Sequence, residues 1–238
     1  MNTFINLTAQ KSKGIDYSIY KNARQLRKDA LLIAENNKSF ASGTSLLILS
    51  SEEAIKSILV LLHSQGYKTY LIKDAKKFFT DHRVRHQLAQ LIELSIGVLE
   101  SFDKKESNKP VTLLKTKSDF WNGLVNGILE IALASKPLLN SVERVKKLTE
   151  FDDKKNQGFY VDFRDRLLIP QIEITKTEFI ETKVVVDRIF RFYKGLKILF
   201  HPNIKNHYKE ENIEILKNQL RVFIDGALKD YSFEKNKL

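Results

Sequence analysis

The chain contains no cysteine, which removes disulfides, thiolate nucleophiles and cysteine-based zinc sites from consideration. The same absence suits a reducing compartment. Chain breakers are scarce: 9 glycines and 4 prolines in 238 residues leave little room for the tight turns of a β-sandwich or barrel. No apolar run approaches the roughly 20 residues that a bilayer span needs; one of the densest runs only from Ile58 to Leu62. The first residues are polar and lack a basic stretch followed by an apolar one, so no secretory leader and no membrane association are expected, and the predicted location is cytoplasmic. A glycine-rich nucleotide loop with its Walker-type lysine and a Ser-His-Asp arrangement are also missing.

What is present is a large apolar payload and an excess of positive charge. Hydrophobic residues make up 42% of the chain, with 15 Phe and 8 Tyr, enough for a sizeable core without staples. Lys and Arg number 40 against 29 Asp and Glu, a net charge of +11. That balance favours a polyanionic partner such as RNA, DNA or an acidic protein. The plain alternative is a lysine-rich surface that only keeps the helices solvated.

Apolar spacing is helical nearly throughout. Ile19, Ala23, Leu26, Ala30 and Ile33 form one stripe, with Asp16 placed to cap or favourably charge the N-terminus. A second helix is predicted over 45–63, stopped by Gly66. A third spans 73–101, with Leu88, Leu91, Ile92, Ile96 and Leu99 on one face. Residues 103–117 read as a charged loop. Shorter helices follow, one opened by Ser118 and Asp119 and running through Trp121, Leu124, Ile128 and Ile131, the next over 138–154. Between Gly158 and Pro170 the period changes to two: Phe159, Val161 and Phe163 alternate with Tyr160, Asp162 and Arg164. Asp165 and Arg166 can turn the chain, so 158–170 is predicted to form a small β-hairpin lying on the helical body. Helix resumes at Thr175 or Thr177, carrying Val185, Ile189, Phe192, Leu196 and Leu199. It ends at His201 and Pro202, and a last helix carries Ile213, Leu216, Leu220, Phe223 and Ala227. The fold class is therefore all-α with a hairpin insertion.

The most polar stretch in a helical context runs from Thr80 to His86. His82 and His86 are spaced i and i+4, with Arg85 beside them, so all three leave one helical face. Imidazole exchanges protons near neutral pH and guanidinium grips a phosphate. Metal-free RNA cleavage needs that chemistry: a base, an acid and a cation. The plain alternatives are a solvated helix face or, more remotely, a two-histidine metal site for which Glu93 lies about two turns on. Glu52, Glu53 and Lys56 lie between apolar runs. Glu52 and Lys56 can form an i,i+4 ion pair worth a few tenths of a kcal/mol. A carboxylate buried there needs a partner, and orienting the His82 region is one use for it. Near the hairpin, Lys155, Asn156, Tyr160 and Asp162 could grip a phosphate or a base. Equally, Phe159, Val161 and Phe163 could simply pin the hairpin to the core.

These stations together resemble the AbiV family of abortive-infection proteins, within the HEPN superfamily of helical domains. The stations are Glu52, Glu53 and Lys56; then Asp81, His82 and Arg85; then Lys155 and Asn156 with Phe159, Tyr160, Val161, Asp162 and Phe163, followed by Pro170. The resemblance covers roughly residues 15–195. It implies a HEPN-like helical bundle over 1–200 that includes the hairpin, with 201–238 as a helical extension packed on it. It further implies an anti-phage role through inhibition of translation, with a phage-encoded protein as trigger. Many HEPN domains are homodimeric, metal-independent endoribonucleases, so RNA (tRNA, rRNA or mRNA) is the implied substrate, with no cofactor. Their usual signature places His four to six residues after Arg. Here Arg83 to His86 is three and Arg191 to His201 is ten, while Lys155 and Tyr160 stand where the motif might be expected. Tyr is a poor base at neutral pH, so catalysis moves to His82 and His86, with Arg85 and Lys155 on phosphate, Glu52 and Asp81 orienting them, and Tyr160 with Asp162 completing the pocket. The competing reading is a non-catalytic RNA- or protein-binding translation inhibitor that works through its basic surface.

Overall fold

The computed structural model describes residues 3–71, 75–82, 84–86, 88–90, 92–93, 144–206 and 209–229. The elements are α1 (Ala9–Ser12), α2 (Ile15–Asn37), α3 (Phe40–Ser64), α4 (Lys77–Thr80), α5 (Phe151–Gln157), β1 (Asp162–Arg164), β2 (Arg166–Leu168), α6 (Pro170–Glu173), α7 (Lys176–Leu199) and α8 (Glu210–Lys229). Residues 82, 84–86, 88–90, 92–93 and 144–149 are helical as well. The architecture is all-α with one two-stranded antiparallel hairpin. Among the described residues no helix is long and apolar enough to cross a membrane.

Helix α3 is the axis of the fold, packing against α1, α2, α5, α6 and α7. Of its 25 residues 18 are buried, because its apolar residues occupy every side rather than one stripe. Leu47, Ile48, Ile55, Ile58 and Leu61 are each at most 2% exposed, and each such side chain contributes about 1.5–3 kcal/mol of burial. Small residues let the neighbours close in: a Cβ on Gly43 would lie 3.1 Å from the Ala30 carbonyl oxygen. Buried serines donate to backbone carbonyls, Ser50 to Ala23 on α2 at 2.9 Å among them. The helix stops where expected. Gly66 takes φ +82 and Tyr67 N donates to the Leu62 carbonyl at 3.1 Å, a glycine-closed C-terminus.

Several sequence expectations shift. The buried line of α2 is Asp16, Tyr20, Ala23, Ala30 and Ala34, so Ile19, Leu26 and Ile33 flank the contact at half burial. Alanines at the centre allow close approach to α3. Asp16 lies in the first turn of α2, where its charge suits the N-terminus, but it is also 1% exposed and accepts from Tyr193 Oη at 2.7 Å and Lys197 Nζ at 3.2 Å. The helix expected over 73–101 is broken at Asp81, whose extended backbone (φ −111, ψ 120) ends α4. Asp81 then caps the next helical segment, its carbonyl accepting from Arg85 N at 3.4 Å. Helix α7 opens on Thr175, whose side chain accepts from Glu178 N at 3.4 Å. On α8, Ile213 and Ile224 are buried but Leu216 is 48% exposed. The helix meets the body through Tyr67, whose hydroxyl donates to the Lys217 carbonyl at 3.2 Å and whose ring lies under Arg221. The predicted loop 103–117, the helices over 118–131 and 138–143, the positions Leu91, Ile96 and Leu99, and the side chains of Phe223 and Ala227 lie outside the described residues.

The hairpin pairs Asp162 with Leu168, Phe163 with Leu167 and Arg164 with Arg166, with Asp165 at φ 51 in the turn. Its apolar face is not pinned to the core. Phe159, Val161, Phe163 and Leu167 are 44–71% exposed. Of the alternating residues only Asp162–Arg164 are strand, and among the described residues no further layer covers either face.

Candidate functional site

Three elements far apart in sequence converge on Glu52. It sits in the middle of α3, where the apolar helix carries it inward to 2% exposure. Its Oε2 faces His82 Nδ1 and accepts from Arg85 Nη2 at 2.9 Å. Its Oε1 lies 3.2 Å from His86 Nε2 and 3.3 Å from Lys155 Nζ. One carboxylate thus meets four basic groups, two on each oxygen. His82 Nδ1 and Arg85 Nη2 are 2.7 Å apart, and both reach Oε2. Burial works to raise the Glu52 pKa, but hydrogen bonds from His86, His82 and Arg85 outweigh it and hold the carboxyl well below the usual carboxylate range.

The break at Asp81 makes this geometry possible. It restarts the helix at His82, so His82, Arg85 and His86 leave adjacent positions of one face toward α3. They differ in depth. Arg85 and His86 are each 4% exposed; Arg85 Nη1 also donates to the Phe78 carbonyl at 3.4 Å, and the His86 ring stands edge-on to Phe151. The His82 side chain is 49% exposed. In the tautomer that places the proton on Nδ1, toward Glu52, the lone pair is on Nε2. His82 lines an open cleft of about 430 Å³ together with Lys77, Thr80, Asp81 and Asp152.

Lys155 comes from α5 and is 8% exposed, with Asp152 Oδ1 at 4.0 Å as a second, weaker partner. Arg85 and Lys155 were expected to present their charges to a phosphate. Both instead point into the protein, and the positive charge they bring neutralises Glu52. The i,i+4 pair between Glu52 and Lys56 does not form, since burial turns Glu52 inward; Lys56 pairs with Glu53, which also accepts from Asn22 Nδ2 at 3.3 Å. Asn156 is exposed, its Nδ2 donating to the Asp152 carbonyl at 3.5 Å. Tyr160 is 68% exposed with its ring edge-on to Phe159. Asp162 stabilises the hairpin itself, accepting from Phe163 N at 2.8 Å and Arg164 Nε at 3.0 Å, which lowers its pKa. Tyr160 and Asp162 are not among the cleft residues.

Glu93, weighed as a remote third metal ligand, is 1% exposed and engaged by Arg144 Nε at 2.5 Å and Arg188 Nε at 2.8 Å. Among the described residues no group of three or more His, Asp and Glu is arranged to hold a metal ion. Sequence reasoning missed Lys77 and Asp152 of the cleft. Asp152 carried a usable signal, standing three residues before Lys155 on the same helical face.

Compared with protein-family models, residues 11–191 match the one for AbiV, a HEPN domain. No curated protein matches, and no solved structure matches.

Proposed function

The chain belongs to the AbiV family of the HEPN superfamily, and from that membership we propose that it is an abortive-infection protein that inhibits translation by binding and cleaving RNA without a metal. The observation that carries this reading is His82, held from behind by an ionised Glu52 and open in front to a cleft. In this mechanism Nε2 takes the proton of a ribose 2′-hydroxyl. The 2′-oxygen attacks the adjacent phosphorus, the bond from phosphorus to the 5′-oxygen breaks, and the imidazolium returns its proton to that leaving oxygen. The products are a cyclic phosphate and a 5′-hydroxyl. Glu52 stabilises the imidazolium between the two proton transfers, and Lys77 at the cleft supplies positive charge for the phosphate. Arg85, His86 and Lys155 act through Glu52 by fixing its carboxylate. The family resemblance supports a homodimer triggered by a phage-encoded protein.

A second reading, non-catalytic binding through the basic surface, is favoured by one observation. Two carboxylates, Asp81 and Asp152, line the cleft beside His82, and both oppose a phosphodiester. Growth arrest on expression separates the two readings. Under the nuclease reading His82→Ala abolishes arrest. Under the binding reading His82→Ala still arrests growth, whereas reversing several surface lysines abolishes arrest and RNA binding falls steeply with salt.

A further inference from the structure

The C-terminal end of α5 carries Lys155, and three residues later the chain passes Gly158 into the hairpin. This end rests directly on α3 at Ser45 and Ala41, about two to three turns before Glu52. Ser45, 0% exposed, donates from Oγ to the Lys155 carbonyl at 2.8 Å. Gly158 fills the next gap: a Cβ there would lie 2.0 Å from Ser45 Oγ and 2.6 Å from the Ala41 carbonyl oxygen. Its φ of −75 is open to any residue, so what requires glycine is the approach of two backbones.

We infer that Ser45 and Gly158 are positioning residues for the Glu52 cluster, acting through Lys155. The hydroxyl fixes the axial position of the last turn of α5, and the missing side chain at 158 lets that turn sit close enough for Lys155 Nζ to reach Glu52 Oε1. α5 has only seven residues, so a displacement at its end is passed to Lys155 with little loss. The first residues of the hairpin and the interior of the candidate site are thereby one joined unit. The inference rests on the reading of the Glu52 cluster as functional, but its test needs no RNA.

The test is competitive acetylation of the native full chain with acetic anhydride, read lysine by lysine by mass spectrometry, in wild type, Ser45→Ala and Gly158→Ala. Lys217 is the control: it is half-buried and paired with Glu214 at 3.0 Å on α8, and shares no partner with α5 among the described contacts. The expected result is a rise in Lys155 reactivity of about tenfold in Gly158→Ala and a smaller rise in Ser45→Ala, with Lys217 unchanged. If Lys155 keeps its wild-type reactivity in both variants, or rises only in step with Lys217, the inference is overturned. Should Gly158→Ala fail to fold, Ser45→Ala decides alone, since losing one hydroxyl leaves the packing in place. Failure of RNA cleavage would leave this result standing, and failure here would leave the role of His82 standing.

Discussion

Lys155 Nζ donates to Glu52 Oε1 at 3.3 Å, joining two residues that stand 103 positions apart in the chain. Together with Arg85 at 2.9 Å on the other oxygen, it leaves the buried carboxylate anionic and surrounded. The cluster is both a structural tie between three elements and the support on which His82 rests.

Removing the carboxylate should therefore cost more than removing any one cation. Glu52→Gln leaves Arg85 buried without that counter-charge and Lys155 with only the weaker Asp152 partner at 4.0 Å, and is expected to destabilise the fold by about 3–5 kcal/mol. Lys155→Met leaves Glu52 three other donors and should cost about 1–3 kcal/mol. Urea unfolding of the two variants beside wild type checks the order; equal losses would contradict it.

The pH dependence follows from the same carboxylate. The folded-state pKa of Glu52 is lowered, so its contribution is complete above the unfolded value of about 4.3 and is lost as the pH falls below it. Glu178 is lowered as well: burial opposes ionisation, but hydrogen bonds from Lys147 and Lys154 prevail. Wild-type stability should hold from neutral pH to about 4.3 and fall steeply from there toward pH 3, and the slope in that lower window should be shallower in Glu52→Gln without vanishing. Urea midpoints across that range decide it, and an unchanged slope would separate Glu52 from acid sensitivity.

The hairpin predicts the opposite behaviour. Phe163 is 71% exposed, so Phe163→Ser should alter stability by no more than about 0.5 kcal/mol. A thermal melt showing a loss of several kcal/mol would mean that the ring is part of a core after all.

Much of the fold was legible in the residues. The long apolar run of α3 and its glycine stop, the hairpin within 158–170 and the start of α7 at Thr175, one of two threonines that could open it, each act locally, through backbone preference and side-chain period. His82, Arg85 and His86 were legible as a group because i, i+3 and i+4 spacing needs no tertiary information. That Glu52 faces them was one of two readings, because Lys56 one turn away offered an equally good partner on paper. Burial decided between them, and burial at position 52 depends on helices that pack from both ends of the chain. The Ser45 and Gly158 joint left no sequence signal either, since a close approach of two backbones has no period. The hairpin differs in the other direction: alternation predicts a covered face, and among the described residues no second layer covers it.

RNA cleavage by His82, backed by Glu52, is the activity on which the proposed function rests. The most direct measurement is incubation of the purified protein with total RNA and tRNA, with and without EDTA, for wild type and His82→Ala. Cleavage by wild type that survives EDTA and falls by about 100-fold or more in His82→Ala is the predicted result. No cleavage by wild type, or equal cleavage by the variant, would contradict it.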